Sequence, residues 1–177
     1  MAEETTLRTQ HLYDGRIIKL DLLDVRLPDG KEAKRERIIH PGAVAIVAFD
    51  SDQKVLLVRQ FRSAAQKTLV EIPAGTLNPG EDPHGCAERE LQEETGYKPG
   101  TLEALGGIYS APGYTSEFIY LFSATDLSES KLAHDDDEFI EVEHVPLAQA
   151  LAMIESGEIA DGKSVAGLMR VARRLGV

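Results

Sequence analysis

The residues most suited to chemistry in this sequence are three closely spaced glutamates, Glu90, Glu93 and Glu94. Residues three and four apart are neighbours on a helix, so Glu90 would face the other two as a destabilising like-charge contact. Arg89 can pair with Glu93, but one guanidinium cannot neutralise three carboxylates. Carboxylate oxygens suit hard divalent cations such as Mg²⁺ and Mn²⁺, which also hold substrate phosphates. The cluster therefore indicates a divalent-cation site, with a solvated acidic helix face as the alternative.

Capping residues on both sides of the glutamates predict the helix that carries them. Asp82 is a suitable N-cap, Pro83 suits the first helical position, and Gly96 is the expected left-handed residue after the end. The predicted helix is therefore Pro83–Thr95.

An apolar stripe fixes the orientation of this helix. Ala87 and Leu91 define the buried face, and at 100° per residue Glu94 lies about 20° from Ala87, with Glu90 about 60° away on the same side. Two of the carboxylates therefore border the core.

The hydrophobic pattern of the remaining chain predicts strands with interspersed helices. The apolar run Ala43–Phe49 is followed by the turn-forming Asp50–Gln53 and the second run Lys54–Arg59, which together predict a central β-hairpin. Further strands are predicted at Leu69–Ile72, Leu102–Ile108, Phe118–Phe122 and Phe139–Val145, and further helices at Leu147–Ser156 and Lys163–Leu175. This order favours an α/β (α+β) fold in which helices cover a mixed β-sheet.

The N-terminal segment is predicted to form a polar hairpin. From Leu12 to Ile39, apolar and charged residues alternate around the turn signal at Pro28, Asp29 and Gly30. Such a hairpin has too few large apolar groups to be stable alone, so it must lie on the core of its own chain or on a partner chain. We therefore divide the chain into residues 1–40, the hairpin segment, and residues 41–177, the main domain.

Composition excludes several classes of function. The chain has 177 residues, a formal net charge of −11 and one cysteine. Strong acidity makes nucleic acid a poor partner, and a single cysteine excludes an intramolecular disulfide. The absence of a signal peptide and of a long apolar run predicts a soluble, cytoplasmic protein with no membrane partner. Zinc is disfavoured because five histidines show no ligand spacing: His11, His40, His84, His134 and His144.

The segment from Gly75 to Tyr97 resembles the Nudix box, GX5EX7REUXEEXGU, in which U is a bulky apolar residue. It reads GTLNPGEDPHGCAERELQEETGY, and every fixed position matches. The resemblance implies the Nudix fold, an α/β/α sandwich around a mixed β-sheet, and metal-dependent hydrolysis of a nucleoside diphosphate linked to another group. The N-terminal hairpin would be an extension of this fold.

The resemblance also implies roles for individual residues. Glu90 and Glu94 would ligate Mg²⁺ or Mn²⁺, and Ala74 would supply its backbone carbonyl as a further ligand. Glu93 would either bind the metal as well or support the other ligands without touching it. Arg89 would orient the glutamates. Glu81 would support the loop and the helix end, whereas Gly75 and Gly96 would adopt backbone conformations that glycine reaches freely.

Weaker signals resemble the ADP-ribose pyrophosphatase subfamily. Pro112 lies sixteen residues after Gly96, in a proline-glycine loop for which an ordinary turn is the alternative interpretation. Arg62 and Glu117 are candidate substrate contacts, Arg62 because a guanidinium suits phosphate or adenine stacking. In relatives the N-terminal hairpin is exchanged between the subunits of a homodimer, so residues 1–40 are predicted to be dimer-forming.

The general base has a less direct signal. Hydrolysis needs an in-line water and a group that accepts its proton. Glu138 ends an acidic run just before a predicted strand, and in similar enzymes such a glutamate ligates a metal or takes the proton; a solvated loop is the alternative. Cys86 lies inside the helix and is not a credible nucleophile.

These signals together predict hydrolysis of ADP-ribose to AMP and ribose 5-phosphate. Another nucleotide sugar or a dinucleoside polyphosphate would use the same catalytic residues. A protein of a different class, a non-catalytic ADP-ribose-binding sensor, is the second alternative.

Overall fold

The computed structural model describes residues 3–130, 132 and 139–177. Glu138 lies outside these residues, so its predicted role stays a prediction. Two compact units are present: one takes in the chain up to Gly42 together with Tyr109–Phe118, and the other comprises Ala43–Ile108 and Ile119–Val177.

The described residues form twelve strands and three helices. The strands are β1 (Thr5–Asp14), β2 (Lys19–Arg26), β3 (Glu32–Ile39), β4 (Ala43–Ala48), β5 (Lys54–Arg62), β6 (Lys67–Glu71), β7 (Ala74–Thr76), β8 (Tyr97–Lys98), β9 (Thr101–Tyr109), β10 (Phe118–Thr125), β11 (Ser128–Glu129) and β12 (Glu141–Pro146). The helices are α1 (Pro83–Thr95), α2 (Leu147–Ser156) and α3 (Gly162–Leu175).

The first unit is built on the antiparallel sheet β1-β2-β3. Its β2–β3 hairpin turns at Gly30, whose φ of 88° is left-handed, so the predicted hairpin is confirmed. Strand β1 was not predicted as a separate strand. All ten residues of β1 are exposed, so no buried face marks it in the pattern.

The second unit contains the four-stranded sheet β7-β4-β10-β9, the three-stranded sheet β12-β5-β6 and the small pair β11-β8. The side chains of β4 alternate between two buried faces. Val44 and Ile46 pack in one hydrophobic cluster with α1, whereas Ala45 and Val47 pack in another with α2 and α3. This layering, together with the parallel pairing of β4 and β10, agrees with the predicted α/β/α sandwich and mixed pairing.

The predicted central hairpin is wrong in its pairing. β4 pairs with β7 and β10, and β5 pairs with β6 and β12; the two strands share an isolated bridge between Phe49 and Val55. Strands buried on both faces can pair with any neighbour, so a turn between two apolar runs does not fix their ladder.

The helices lie where the sequence places them. α1 and α2 have the predicted bounds, and α3 begins one residue earlier than predicted. Asp82 caps α1 by accepting from the backbone N–H groups of His84 and Gly85, and Gly96 is left-handed with φ 78°. None of the helices in the described part of the chain is long and apolar enough to cross a membrane.

Candidate active site

Arg89 joins three carboxylates, one in the loop before α1 and two on α1 itself. Its Nε and Nη2 donate to the two oxygens of Glu81 at 2.8 and 2.9 Å, and its Nη1 donates to Glu90 and Glu93, each at 2.7 Å. The predicted pairing of Arg89 with Glu93 is confirmed. A bidentate charge-assisted contact of this kind is both strong and directional. Arg89 therefore offsets the repulsion that the glutamate spacing creates.

The same contacts shift the pKa values of Glu81 and Arg89. Hydrogen bonds from Arg89 outweigh burial and lower the pKa of Glu81 to about 2. The contacts with Glu81, Glu90 and Glu93 raise the pKa of Arg89 in turn, against the effect of burial. Three carboxylates thus share one guanidinium.

Ala74 and Gly75 bring the strand β7 against the glutamates of α1. The Ala74 N–H donates to Glu94 Oε2 at 2.9 Å, and Glu94 is 4% exposed. The Glu90 carboxylate lies over Gly75, where an added methyl group would overlap it. The expectation that Gly75 needs a glycine-only backbone is wrong, because its φ is not left-handed; the requirement comes from the space that Glu90 occupies.

The guanidinium of Arg62 forms a bidentate ion pair with a buried carboxylate. Its Nε and Nη2 donate to Glu71 Oε1 and Oε2 at 3.0 and 2.6 Å. Burial alone would raise the pKa of Glu71, but hydrogen bonds and charge from Arg62 and Lys163 outweigh it and lower the pKa. The hydrogen bonds with Glu71 raise the pKa of Arg62 against the effect of burial, and the charges of Glu71 and Glu94 add to the rise. Substrate contact by Arg62 stays a prediction.

Pro112 and Glu117 lie in the first unit, in the loop between β9 and β10. The loop closes on a turn in which Tyr114 N donates to Ala111 O at 3.1 Å. Glu117 Oε1 lies 3.6 Å from His40 Nε2. The substrate roles of Pro112 and Glu117 stay predictions.

The donor set on α1 and β7 is suited to a hard divalent cation. It consists of the carboxylates of Glu90, Glu93 and Glu94 and the carbonyl of Ala74, which are oxygen ligands of the kind that Mg²⁺ and Mn²⁺ take. Among the described residues no group of three or more His, Cys, Asp or Glu side chains is already arranged to hold a metal ion. Two of the carboxylates accept from Arg89, so a cation would share them with this guanidinium.

Sequence reasoning missed two residues beside the site, Glu71 and Lys163. The Lys163 ammonium lies 2.5 Å from Glu71 Oε2, across 92 residues of sequence. A charged residue at the end of an apolar strand was the available signal for Glu71. Cys86, in contrast, is buried, and burial followed by the charge of Glu90 raises its pKa to about 12.

Two known protein families match this sequence, and together they cover most of the chain. The NUDIX domain family matches residues 39–168. The chain belongs to the Nudix family. The nucleoside diphosphate sugar hydrolase N-terminal domain family matches residues 4–38. Nudix hydrolases in general use divalent metal ions.

Individual relatives cover nearly the full length of this Nudix protein. An ADP-ribose pyrophosphatase of Bacillus subtilis (strain 168) is 44% identical over 164 residues, which are 92% of this chain and 89% of the relative. A methanol dehydrogenase activator of Bacillus methanolicus is 43% identical over 165 residues, 92% of this chain and 89% of that protein. The crystal structure of an ADP compounds hydrolase has a TM-score of 0.89 and 26% identity, covering 98% of this chain and 95% of that one.

Proposed function

We propose that this Nudix protein hydrolyses the pyrophosphate of ADP-ribose to AMP and ribose 5-phosphate with a divalent metal ion. The observation that carries the proposal is the meeting of the box residues at one place: Arg89 gathers Glu81, Glu90 and Glu93, while Glu94 meets Ala74. The similarity to an ADP-ribose pyrophosphatase over most of the chain supports the substrate.

The residues would divide the work as follows. Glu90, Glu94 and the Ala74 carbonyl would hold the cation, and Glu93 would join them or orient them. When bound, a divalent ion supplies charge neutralisation at the phosphates and lowers the pKa of a bound water. Arg89 orients Glu90 and Glu93 through its hydrogen bonds. We propose Glu138 as the residue that takes the proton from water or adds a metal ligand.

Substrate recognition is proposed to involve Arg62, Pro112 and Glu117. Arg62 has two donors on Glu71, so its substrate contact would come from the remaining guanidinium edge or from its planar face. The Pro112 loop and Glu117 are proposed to hold the nucleoside or the terminal ribose.

A homodimer is proposed on the strength of the first unit alone. β1 is exposed along its full length, and the exposed apolar side chains of this segment include Leu7, Leu12, Tyr13 and Ile17. An exposed strand that carries apolar side chains favours a partner. Light scattering on the full chain should give twice the monomer mass, and Leu12→Glu should shift the measured mass towards that of one monomer. A monomeric wild-type chain at micromolar concentration would contradict the dimer.

We propose a cytoplasmic location.

A second candidate is the hydrolysis of another nucleoside diphosphate sugar. The match of residues 4–38 to the N-terminal domain of nucleoside diphosphate sugar hydrolases favours it. The same catalytic residues would serve, so the difference would lie in substrate recognition. A non-catalytic ADP-ribose sensor would bind without turnover.

The decisive experiment measures the mononucleotide that each candidate substrate releases: AMP from ADP-ribose and other ADP-sugars, GMP from GDP-mannose, and the corresponding mononucleotides from dinucleoside polyphosphates. Each is assayed with Mg²⁺, with Mn²⁺ and with EDTA. We expect metal-dependent turnover with the highest kcat/KM for ADP-ribose. A higher value for another nucleotide sugar would support the second candidate, and tight binding of ADP-ribose without turnover would support the sensor.

A pair of variants tests the site. Glu94→Gln should lower kcat by at least about 100-fold, because it removes a metal ligand and leaves the side-chain volume unchanged. Glu88→Gln is the matched control, since Glu88 lies on the same helix and pairs with Lys98 at 2.6 Å outside the cluster. An unchanged kcat in Glu94→Gln would refute the metal-ligand role.

A further inference from the structure

The first turn of α3 is fastened to the segment that leads into the candidate metal site. Ser164 is completely buried, and its Oγ accepts from the Ile72 N–H at 2.9 Å. The same hydroxyl donates to Asp161 Oδ2 at 2.6 Å, and Asp161 also caps the helix by accepting from the Ser164 N–H at 3.0 Å. A single buried hydroxyl therefore links the helix cap to the backbone of residue 72.

Buried charge reinforces this attachment one residue earlier. Glu71, with a side chain only 2% exposed, is held by the Lys163 ammonium at 2.5 Å and by the bidentate Arg62 contact. Lys163 also reaches Asp161 at 2.9 Å. Leaving a buried charge without its partner costs free energy, so these contacts hold the Glu71 carboxylate in place. Glu71 and Ile72 are both fixed by α3.

The other end of the segment is held by strand β4 and by Glu94 of the candidate site. The Pro73 carbonyl accepts from the Ile46 N–H at 2.8 Å, and the Ala74 N–H donates to Glu94 at 2.9 Å. Two peptide units separate Ile72 from Ala74, and Pro73 has a restricted φ. A stretch this short and stiff transmits a displacement of Ile72 to Ala74, since consecutive Cα atoms stay about 3.8 Å apart.

We propose that Ser164, supported by Asp161, is a positioning residue for the metal site. Through Ile72 it sets where Ala74 lies, and thereby places the carbonyl that would be a ligand of the cation and the N–H that donates to Glu94. The metal part of this inference rests on the proposed function, whereas the placement of Ala74 does not.

The first test measures the placement without metal or substrate. In metal-free, isotope-labelled full-length protein, amide hydrogen exchange of Ala74 is compared between the wild type and Ser164→Ala. We expect at least about tenfold faster exchange at Ala74 in Ser164→Ala, because its hydrogen bond to Glu94 loses its alignment. Ser164→Thr keeps the hydroxyl and should stay within about threefold of the wild type. Unchanged Ala74 exchange in Ser164→Ala would overturn the proposal.

The second test measures the cation. Mn²⁺ binding is titrated by electron paramagnetic resonance in the absence of nucleotide, and we expect Ser164→Ala to weaken it by about 10-fold or more, as is typical when a residue behind a metal ligand is lost. With ADP-ribose at saturating metal, kcat should fall while KM changes less than about twofold. Ser164→Thr should restore the affinity.

A packing variant separates positioning from general destabilisation. Val171→Ala removes buried methyl groups from the same helix, where Val171 is 4% exposed in the core. It should lower the melting temperature about as much as Ser164→Ala does, while leaving Mn²⁺ affinity and Ala74 exchange at wild-type values. Equal loss of Mn²⁺ affinity in both variants would show a merely structural role and overturn the proposal. A wild type that binds Mn²⁺ but cleaves no nucleotide would refute the proposed function alone.

Discussion

The ion pair between Arg89 and Glu81 should contribute measurably to stability, in a way that depends on pH. The perturbation that isolates it is Glu81→Gln, which removes the charge and keeps the shape and one acceptor for Arg89. Glu81 accepts from two nitrogens of Arg89 and from the Asn78 N–H at 2.9 Å, with a smaller contribution from the Cys86 side chain. The variant therefore tests the charge of one carboxylate.

The magnitude follows from the pKa of Glu81, which is lowered from 4.5 to about 2 in the folded protein. Each pKa unit corresponds to about 1.4 kcal/mol, so the ionised carboxylate stabilises the fold by up to about 3 kcal/mol at neutral pH. The Glu81 side chain is 19% exposed, so screening by solvent is limited. The rise in the Arg89 pKa describes the same contacts and is not added.

The sign follows from proton linkage. A carboxyl group whose folded pKa is lowered stabilises the protein fully above its unfolded pKa of 4.5, and this contribution disappears as the pH falls towards 2. At pH 3 about 1 kcal/mol remains, by the same linkage relation. The difference in unfolding free energy between wild type and Glu81→Gln should therefore shrink by about 2 kcal/mol between pH 7 and pH 3.

Urea denaturation followed by circular dichroism, in buffer with EDTA, measures this difference at both pH values. Glu88→Gln is the control, because its pair with the half-exposed Lys98 should contribute less than about 1 kcal/mol. A Glu81→Gln loss that is the same at pH 7 and pH 3 would refute the reasoning that Arg89 holds Glu81 ionised.

Two further predictions concern the same helix and the strand beside it. Cys86, whose pKa is raised to about 12, should resist iodoacetamide at pH 8 in the folded protein and react in urea; rapid labelling of the folded protein would contradict its burial. Gly75→Ala should displace the Glu90 carboxylate and lower kcat at least about 30-fold, whereas Gly162→Ala, at a position with open space, should change it less than about threefold. Equal kcat values for these two glycine variants would show that Glu90 does not need the space over Gly75.

The sequence predicted those parts of the fold that local chemistry determines. Asp82, Pro83 and Gly96 set the ends of α1 through contacts within a few residues, and these bounds agree with the structure. The pairing of β4 and β5 depends on strands far apart in the chain, and there the prediction was wrong. Local signals mark where an element begins and ends, whereas pairing partners are chosen by the whole core.

The candidate site shows the same division. Arg89 and Glu93 are four residues apart, so their contact was predictable from helix geometry. Glu71 and Lys163 are 92 residues apart, and neither their residue types nor their spacing predicts the contact between them. The requirement for glycine at position 75 could not be predicted either, because it comes from the position of the Glu90 side chain and not from the backbone conformation of Gly75.

The candidate metal site is assembled from two sides by different kinds of contact. On the helix side, Arg89 gathers the carboxylates with hydrogen bonds that a cation must share, so this side can adjust when metal binds. On the strand side, Ser164 fixes the backbone through a completely buried contact that holds one geometry. A backbone carbonyl cannot change rotamer to meet a cation, whereas a glutamate can. The rigid contact of Ser164 therefore supports the Ala74 backbone, which cannot adjust, whereas the hydrogen bonds of Arg89 support the glutamates, which can.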